Sequence, residues 1–246
     1  MTTDTHADRA GDEPGRTLCI LAHPDDPDFL AGGTIATWTD AGGEVVYLLC
    51  TRGDGGTTDP TITHDQLAAM RQAEQRTAAA ALGVHDVRFL AHGDSLLQHT
   101  LDLRRELVRV IRLVRPDRLV CFDPASRWFA DYVNHPDHYL SGEAALAAVF
   151  PTARERLAFP ELLEREGLEP HKVMEIWLVA TQQPNHWQDI SATLDRKIAA
   201  MHCHVSQVGD GARIEGVLRQ RAADMGAQAT PALDAAEAFR VIRMRN

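Results

Sequence analysis

The feature that most restricts this chain is a series of short apolar runs, each too short for a helix and most followed by a helical pattern. Thr17-Leu-Cys-Ile-Leu-Ala22, Glu44-Val-Val-Tyr-Leu-Leu-Cys50, Arg118-Leu-Val-Cys-Phe122 and the segment from Val173 to Ala180 have the length and composition of buried strands. Asp86 to Leu90 is a further strand of the same kind. The spacing predicts helices over 30–41, 64–82, 100–114, 139–149, 191–203 and about 209–225. Gly42-Gly43 and Gly83 stop the first two, and Pro116 limits the third. Segment 151–170 is irregular with a short helix, and Phe239 to Met244 forms a final edge strand. Strands alternating with helices predict an α/β chain: a Rossmann-like, three-layer fold with a mainly parallel sheet, as one domain over 17–246. Residues 1–16, rich in Thr, Asp and Gly, read as a disordered tail.

That architecture says where to look for chemistry. In open α/β sheets, ligands bind beyond the carboxyl ends of the strands, near a point where the strand order reverses. Four polar segments directly follow predicted strands: 23–28, 52–56, 92–95 and 123–138. They are expected to converge on one face.

The first holds His23-Pro-Asp-Asp26. An imidazole and a carboxylate two residues apart in a Pro-containing loop can reach one ion, and Pro24 limits the backbone freedom lost on binding. The last ends in His135-Pro-Asp-His138, an i, i+3 pair around a helix start that can supply one more nitrogen. Two histidines and one carboxylate, with a position left open for water, match a catalytic zinc site; a structural site prefers four closed ligands, often cysteines. The same ligand types also accept other divalent ions. Asp25 is then left beside the metal, where a carboxylate serves as general base, and the spare histidine can stabilise an oxyanion. Asp137 can orient one of the two histidines. The competing structural reading is that Asp25-Asp26 merely caps a helix.

Composition excludes other classes. Thirty-five acidic against 25 basic residues, a net charge of −10, argues against a nucleic-acid partner. No apolar run reaches the length of a membrane span. Gly53-Asp-Gly-Gly56 lacks dinucleotide-binding spacing, and there is no G-x-S-x-G elbow. The four cysteines form no CxxC pair, the first sixteen residues lack the apolar core of a signal peptide, and a cytoplasmic protein is expected. A homo-oligomer is compatible with all of this.

Ala22-His-Pro-Asp-Asp26 followed by Gly32-Gly-Thr34 resembles the signature of the PIG-L/LmbE-like zinc-dependent N-deacetylases. Thr51-Arg-Gly-Asp54, Arg71-Gln-Ala-Glu74, Arg115-Pro-Asp117, Asn134-His-Pro-Asp-His138, Gln188-Asp-Ile-Ser191, Lys197 and His204-Val-Ser-Gln207 resemble its further motifs in order. The resemblance implies zinc on His23, Asp26 and His138, Asp25 as general base, and His135 supported by Asp137 as oxyanion stabiliser. It implies an amino-sugar or N-acetylglucosamine-containing small molecule as substrate, losing its N-acetyl group, with Arg71 and Asp94 on sugar hydroxyls. Arg52, Trp128 and Tyr132 are expected as further substrate contacts. The family motif usually continues with Glu, where this chain has Pro27-Asp28-Phe29. That departure and the aromatic segment 128–132 motivate an alternative, an amidase for a larger N-acyl or thiol-conjugate amide. A non-catalytic metal-binding module is a third reading.

Overall fold

A computed structural model describes residues 15–209 and 211–245; most of the expected N-terminal tail therefore lies outside the described residues. Strands are β1 (Arg16–Leu21), β2 (Glu44–Thr51), β3 (Asp86–His92), β4 (Arg118–Phe122), β5 (Glu175–Val179), β6 (His186–Asp189) and β7 (Ala236–Arg243). Helices are α1 (Asp26–Asp40), α2 (His64–Ala81), α3 (Leu101–Val114), α4 (Pro136–Val149), α5 (Pro160–Glu164), α6 (Leu194–His202), α7 (Val205–Val208) and α8 (Gly211–Gly226).

All seven strands form one sheet in the order β3-β2-β1-β4-β5-β7-β6. The first five are parallel, with Leu18 beside Val46 on one side and Leu119 on the other. β7 runs antiparallel to β5 and to β6. The strand expected at 239–244 is therefore not at the edge: it starts at Ala236, and β6 covers it. The order reverses between β1 and β4, because the chain builds outward from β1 to β2 and β3 before crossing back.

Alternate strand residues enter two separate cores, which is why the central runs carry no polar face. Leu18, Ile20, Leu48 and Leu119 pack with Leu107 and Ile111 of α3 and Ala145 of α4. Cys19, Leu21, Tyr47 and Val120 pack with Ile35 and Trp38 of α1 and Ala79 of α2. Each large aliphatic side chain so buried contributes about 1.5–3 kcal/mol. α2 begins with a reciprocal capping box between Thr63 and Gln66. α3 ends where Arg115 turns left-handed (φ 53°) ahead of Pro116.

The C-terminal strand grips the first helix. The Glu237 carboxylate accepts from the amides of Gly33 (3.1 Å) and Thr34 (2.8 Å) and pairs with Lys197 of α6; Lys197 and Glu237 are both buried. Gly33 is needed there, since a Cβ would lie 2.7 Å from the Ile190 side chain. Two halves of the resemblance, Gly32-Gly-Thr34 and Lys197, thus belong to one packing joint.

Candidate active site

Both His-Pro-Asp motifs start helices at the carboxyl ends of the two central strands. α1 begins at Asp26 and α4 at Pro136, four and three residues earlier than expected. The early starts have one cause: Pro27 and Pro136 sit in the first two helical positions, where the missing N–H would have no intrahelical partner. Pro27 is accommodated by helix entry. Thr51, at the end of β2, holds the first loop by donating to the Ala22 carbonyl from both its amide (2.9 Å) and its hydroxyl (3.0 Å).

The loop and helix start place His23, Asp26 and His138 together. His23 Nδ1 lies 3.5 Å from Asp26 Oδ2, and His138 Nε2 lies 3.4 Å from Asp26 Oδ1. The outer nitrogen of each ring is anchored: His23 Nε2 on Asp137 Oδ2 (3.2 Å) and on Asp94 Oδ1 (3.3 Å), His138 Nδ1 on Asn134 Oδ1 (3.0 Å). Anchoring fixes each ring with its inner nitrogen facing the carboxylate; on His23 that nitrogen holds a proton against Asp26, and a cation would take the proton's place. Three potential ligand groups facing one another at such distances fit a cation between them. Burial disfavours a charged His23, but hydrogen bonds with Asp137, Asp26 and Asp94 outweigh it and hold the His23 pKa well above its ordinary value. Burial likewise opposes ionisation of Asp26, and His138 and His23 overcome it to hold that carboxyl well below the usual range.

His135 also brings a ring nitrogen within 4.8 Å of those of His23 and His138. Its hydrogen bonds separate it from them. His135 Nδ1 accepts from the Asp137 amide at 3.2 Å, which leaves the proton on Nε2, 3.4 Å from Ser95 Oγ. Burial and the neighbouring His23 lower its pKa, so His135 is a neutral N–H donor facing the cleft. The Asp137 carboxylate, expected to support His135, lies against His23 instead and also accepts from the amides of Ser95 (2.8 Å) and Leu97 (3.3 Å). Its support of His135 runs through the backbone.

Asp25 occupies the turn between β1 and α1 with φ 99°, a region a non-glycine residue rarely adopts. Its amide donates to Gln75 Oε1 at 2.8 Å. The other end of that Gln75 amide donates to Asp28 at 2.7 Å, and Asp28, fully buried, also accepts from Tyr47 and His204. Asp28 thus belongs to the support behind Asp25. Burial and the charge of Asp26 push the Asp25 carboxyl up to about 6, against the pull of Arg71 at 3.6 Å.

A cleft of about 440 Å³ opens over these groups, lined by Asp25, Arg71, Asp94, His135, Gln207 and others. Arg71 donates to the carbonyls of Pro24 (3.0 Å) and Gly55 (2.9 Å) and to Asp94 (3.1 Å). Gly53 lets this loop lie on Pro24: its φ is 69°, and a Cβ would sit 2.6 Å from the proline ring. Of three further expected substrate contacts, Arg52 and Trp128 lie outside the cleft and Tyr132 lies beside it. Arg52 does not line the cleft and pairs with Asp54 and Asp65. Trp128 is 67% exposed and lines no described compartment, whereas Tyr132 lines a second compartment beside the cleft. Ser95, Gln75 and Asn134 had no expected role. Asn134 was readable, because the i, i+4 spacing to His138 brings the two side chains together at a helix start.

Residues 18–149 match the family model for PIG-L, described as GlcNAc-PI de-N-acetylase. The chain is 38% identical to a diacetylchitobiose deacetylase of Thermococcus kodakarensis, over 78% of this chain and 70% of that protein. The chain belongs to the PIG-L family. A second PIG-L relative, the 1D-myo-inositol 2-acetamido-2-deoxy-alpha-D-glucopyranoside deacetylase of Actinosynnema mirum, is 31% identical over 79% of this chain and 81% of its own length. The N,N'-diacetylchitobiose deacetylase of Pyrococcus horikoshii, solved with an inhibitor, superposes with a TM-score of 0.85. It is 32% identical, covering 93% of this chain and 84% of its own. PIG-L membership makes this chain an amide hydrolase on an α/β fold with a His/Asp cluster able to hold a metal. Among the described residues no helix is long and apolar enough to cross a membrane.

Proposed function

We propose that this PIG-L protein is a zinc-dependent, cytoplasmic N-deacetylase that removes acetate from an N-acetylated amino sugar. The observation that carries the reading is the convergence of His23 Nδ1, Asp26 and His138 Nε2 as three potential metal ligands, with Asp25 beside them. Related deacetylases named for diacetylchitobiose and for an acetamido-glucoside of inositol support the substrate class.

His23, Asp26 and His138 would hold the zinc, which when bound polarises an amide carbonyl and acidifies a water. Asp25 takes the proton from the attacking water and returns it to the leaving amine, a task suited to a carboxyl whose pKa is raised toward neutrality. His135 donates its Nε2–H to the oxygen of the tetrahedral intermediate; because the ring is already neutral, it gives a hydrogen bond without giving up a full charge. Asp137 and Asn134 keep the ligand rings turned. Arg71 and Asp94, already paired, form one wall against the sugar. Neither a larger amide nor a non-catalytic role gains support, since Pro27 and Asp28 serve helix entry and the Asp25 support.

The test is metal content together with acetate release from N-acetylglucosamine conjugates. About one zinc per chain, activity lost on chelation and regained with zinc, and acetate as product are expected. Full activity in chelator would sink the reading. Asn134→Ala removes the anchor of His138 and should weaken zinc about 10–100-fold, measured by competition with a chromophoric chelator; unchanged affinity would show that Asn134 does not orient the ring.

A further inference from the structure

The catalytic cleft does not end at the metal ligands. A second compartment of about 300 Å³ shares Asp26, Phe29, His135 and His138 with it, and is walled mainly by Phe122, Phe129, Tyr132 and Val133. Two spaces flanking one reactive centre suit a substrate with two bulky parts. The acetyl group is too small to need either, so one space takes the sugar ring and the other its aglycone.

The charges in this second compartment are few. Among the described residues lining it, Arg221 of α8 is the one arginine or lysine, and Asp26, already between His23 and His138, is the one carboxylate. The Arg221 guanidinium lies 5.3 Å from the Phe29 ring centroid. It has no ion pair and no hydrogen-bond acceptor among the described residues, whereas Arg219, half a turn away, is held by both Glu215 and Asp195. The other nearby cation, Lys197, is taken by Glu237. An aromatic-walled space with one unclaimed guanidinium at its rim is built for an apolar body carrying a single negative charge. A planar fork of donors matches a carboxylate in a bidentate pair, and one cation suits a monoanion better than a phosphate dianion.

We propose that the physiological substrate is an N-acetylated amino sugar whose aglycone bears a carboxylate, and that Arg221 selects it. This rests on the deacetylase reading for the reaction, but not for the recognition. The test compares 4-carboxyphenyl and 4-carbamoylphenyl N-acetylglucosaminides, which match in shape and differ in charge. The zinc-loaded protein should favour the carboxylate by about tenfold in kcat/KM at low salt, the preference shrinking as salt screens a rim charge. Arg221→Gln should bring that ratio near one, and Arg221→Lys should keep part of it. A ratio near one in the unaltered protein, or one that survives Arg221→Gln, overturns the proposal. Calorimetric binding of the same pair separates it from the deacetylase reading. If neither compound releases acetate but the carboxylate binds tighter in an Arg221-dependent way, the reaction is wrong and the recognition stands. Equal binding, or none, overturns the recognition.

Discussion

Asp25→Asn is expected to keep its zinc, lose about 10²–10⁴ in kcat, and make the metal-free protein more stable. The loss follows from removing the only proton carrier proposed beside the attacking water. The gain follows from the raised carboxyl. Burial and the Asp26 charge lift Asp25 from 3.8 to about 6 in the folded protein. A carboxyl whose pKa is raised by folding binds protons more tightly in the native state than in the unfolded one. Its contribution therefore becomes more favourable as the pH falls through about 6 towards 3.8, and at pH 7 its ionised form costs stability on the order of 2–3 kcal/mol. Asparagine carries no charge to bury and tolerates positive φ better than most residues. Thermal melts of chelated protein at pH 7 should show Asp25→Asn several degrees above the parent, with the gap closing near pH 4. In the loaded enzyme the acid limb of kcat/KM should lie at or below about pH 6, because added positive charge lowers a neighbouring carboxyl. Parental turnover in Asp25→Asn with the same pH profile would remove Asp25 from the mechanism.

Gly142→Ala should unsettle both the fold and the metal. A Cβ at Gly142 would lie 2.3 Å from the Phe122 carbonyl oxygen and 3.0 Å from its carbon, both backbone atoms of β4 that cannot rotate aside. α4 must then lift from the strand, at a cost of about 1–3 kcal/mol or more. The Phe122 ring stacks on His138 at 4.1 Å with planes 9° apart, so the same movement displaces His138, the ligand proposed on α4. Urea unfolding and zinc affinity should both fall. Gly216→Ala in α8 is the control: nothing lies within 4 Å of its Cβ, and a helical alanine should add up to about 1 kcal/mol. Parental stability and zinc affinity in Gly142→Ala would mean that α4 and β4 have slack at their closest approach.

The contrast between these residues shows what the chain alone discloses. The central strands were legible because a strand buried on both faces must be apolar throughout, and their ends pointed to the site. β6 was not. His186-Trp-Gln-Asp189 has four residues and no alternation, and its hydrogen bonds come from β7, almost fifty residues later. The two helix starts are hidden in the sequence, because Pro27 and Pro136 interrupt the apolar pattern while fitting the first turn. His23, Asp26 and His138 stood out by residue type and spacing. The contact of Asp137 with His23 did not, since it spans 114 residues and exists only once β1 and β4 lie side by side.

The grip of Glu237 on the amides of Gly33 and Thr34, 204 and 203 residues away in sequence, sets an order of events. The helix that carries Asp26 is synthesised about two hundred residues before the strand that clamps it. Contacts of such separation are slow to form, since the chain must close a long loop before they reward it. During synthesis His23 and Asp26 are therefore present, but without their clamp, over that whole interval. Metal capture at the proposed site is then expected to follow the closing of this clamp, whereas in a zinc finger the metal drives folding.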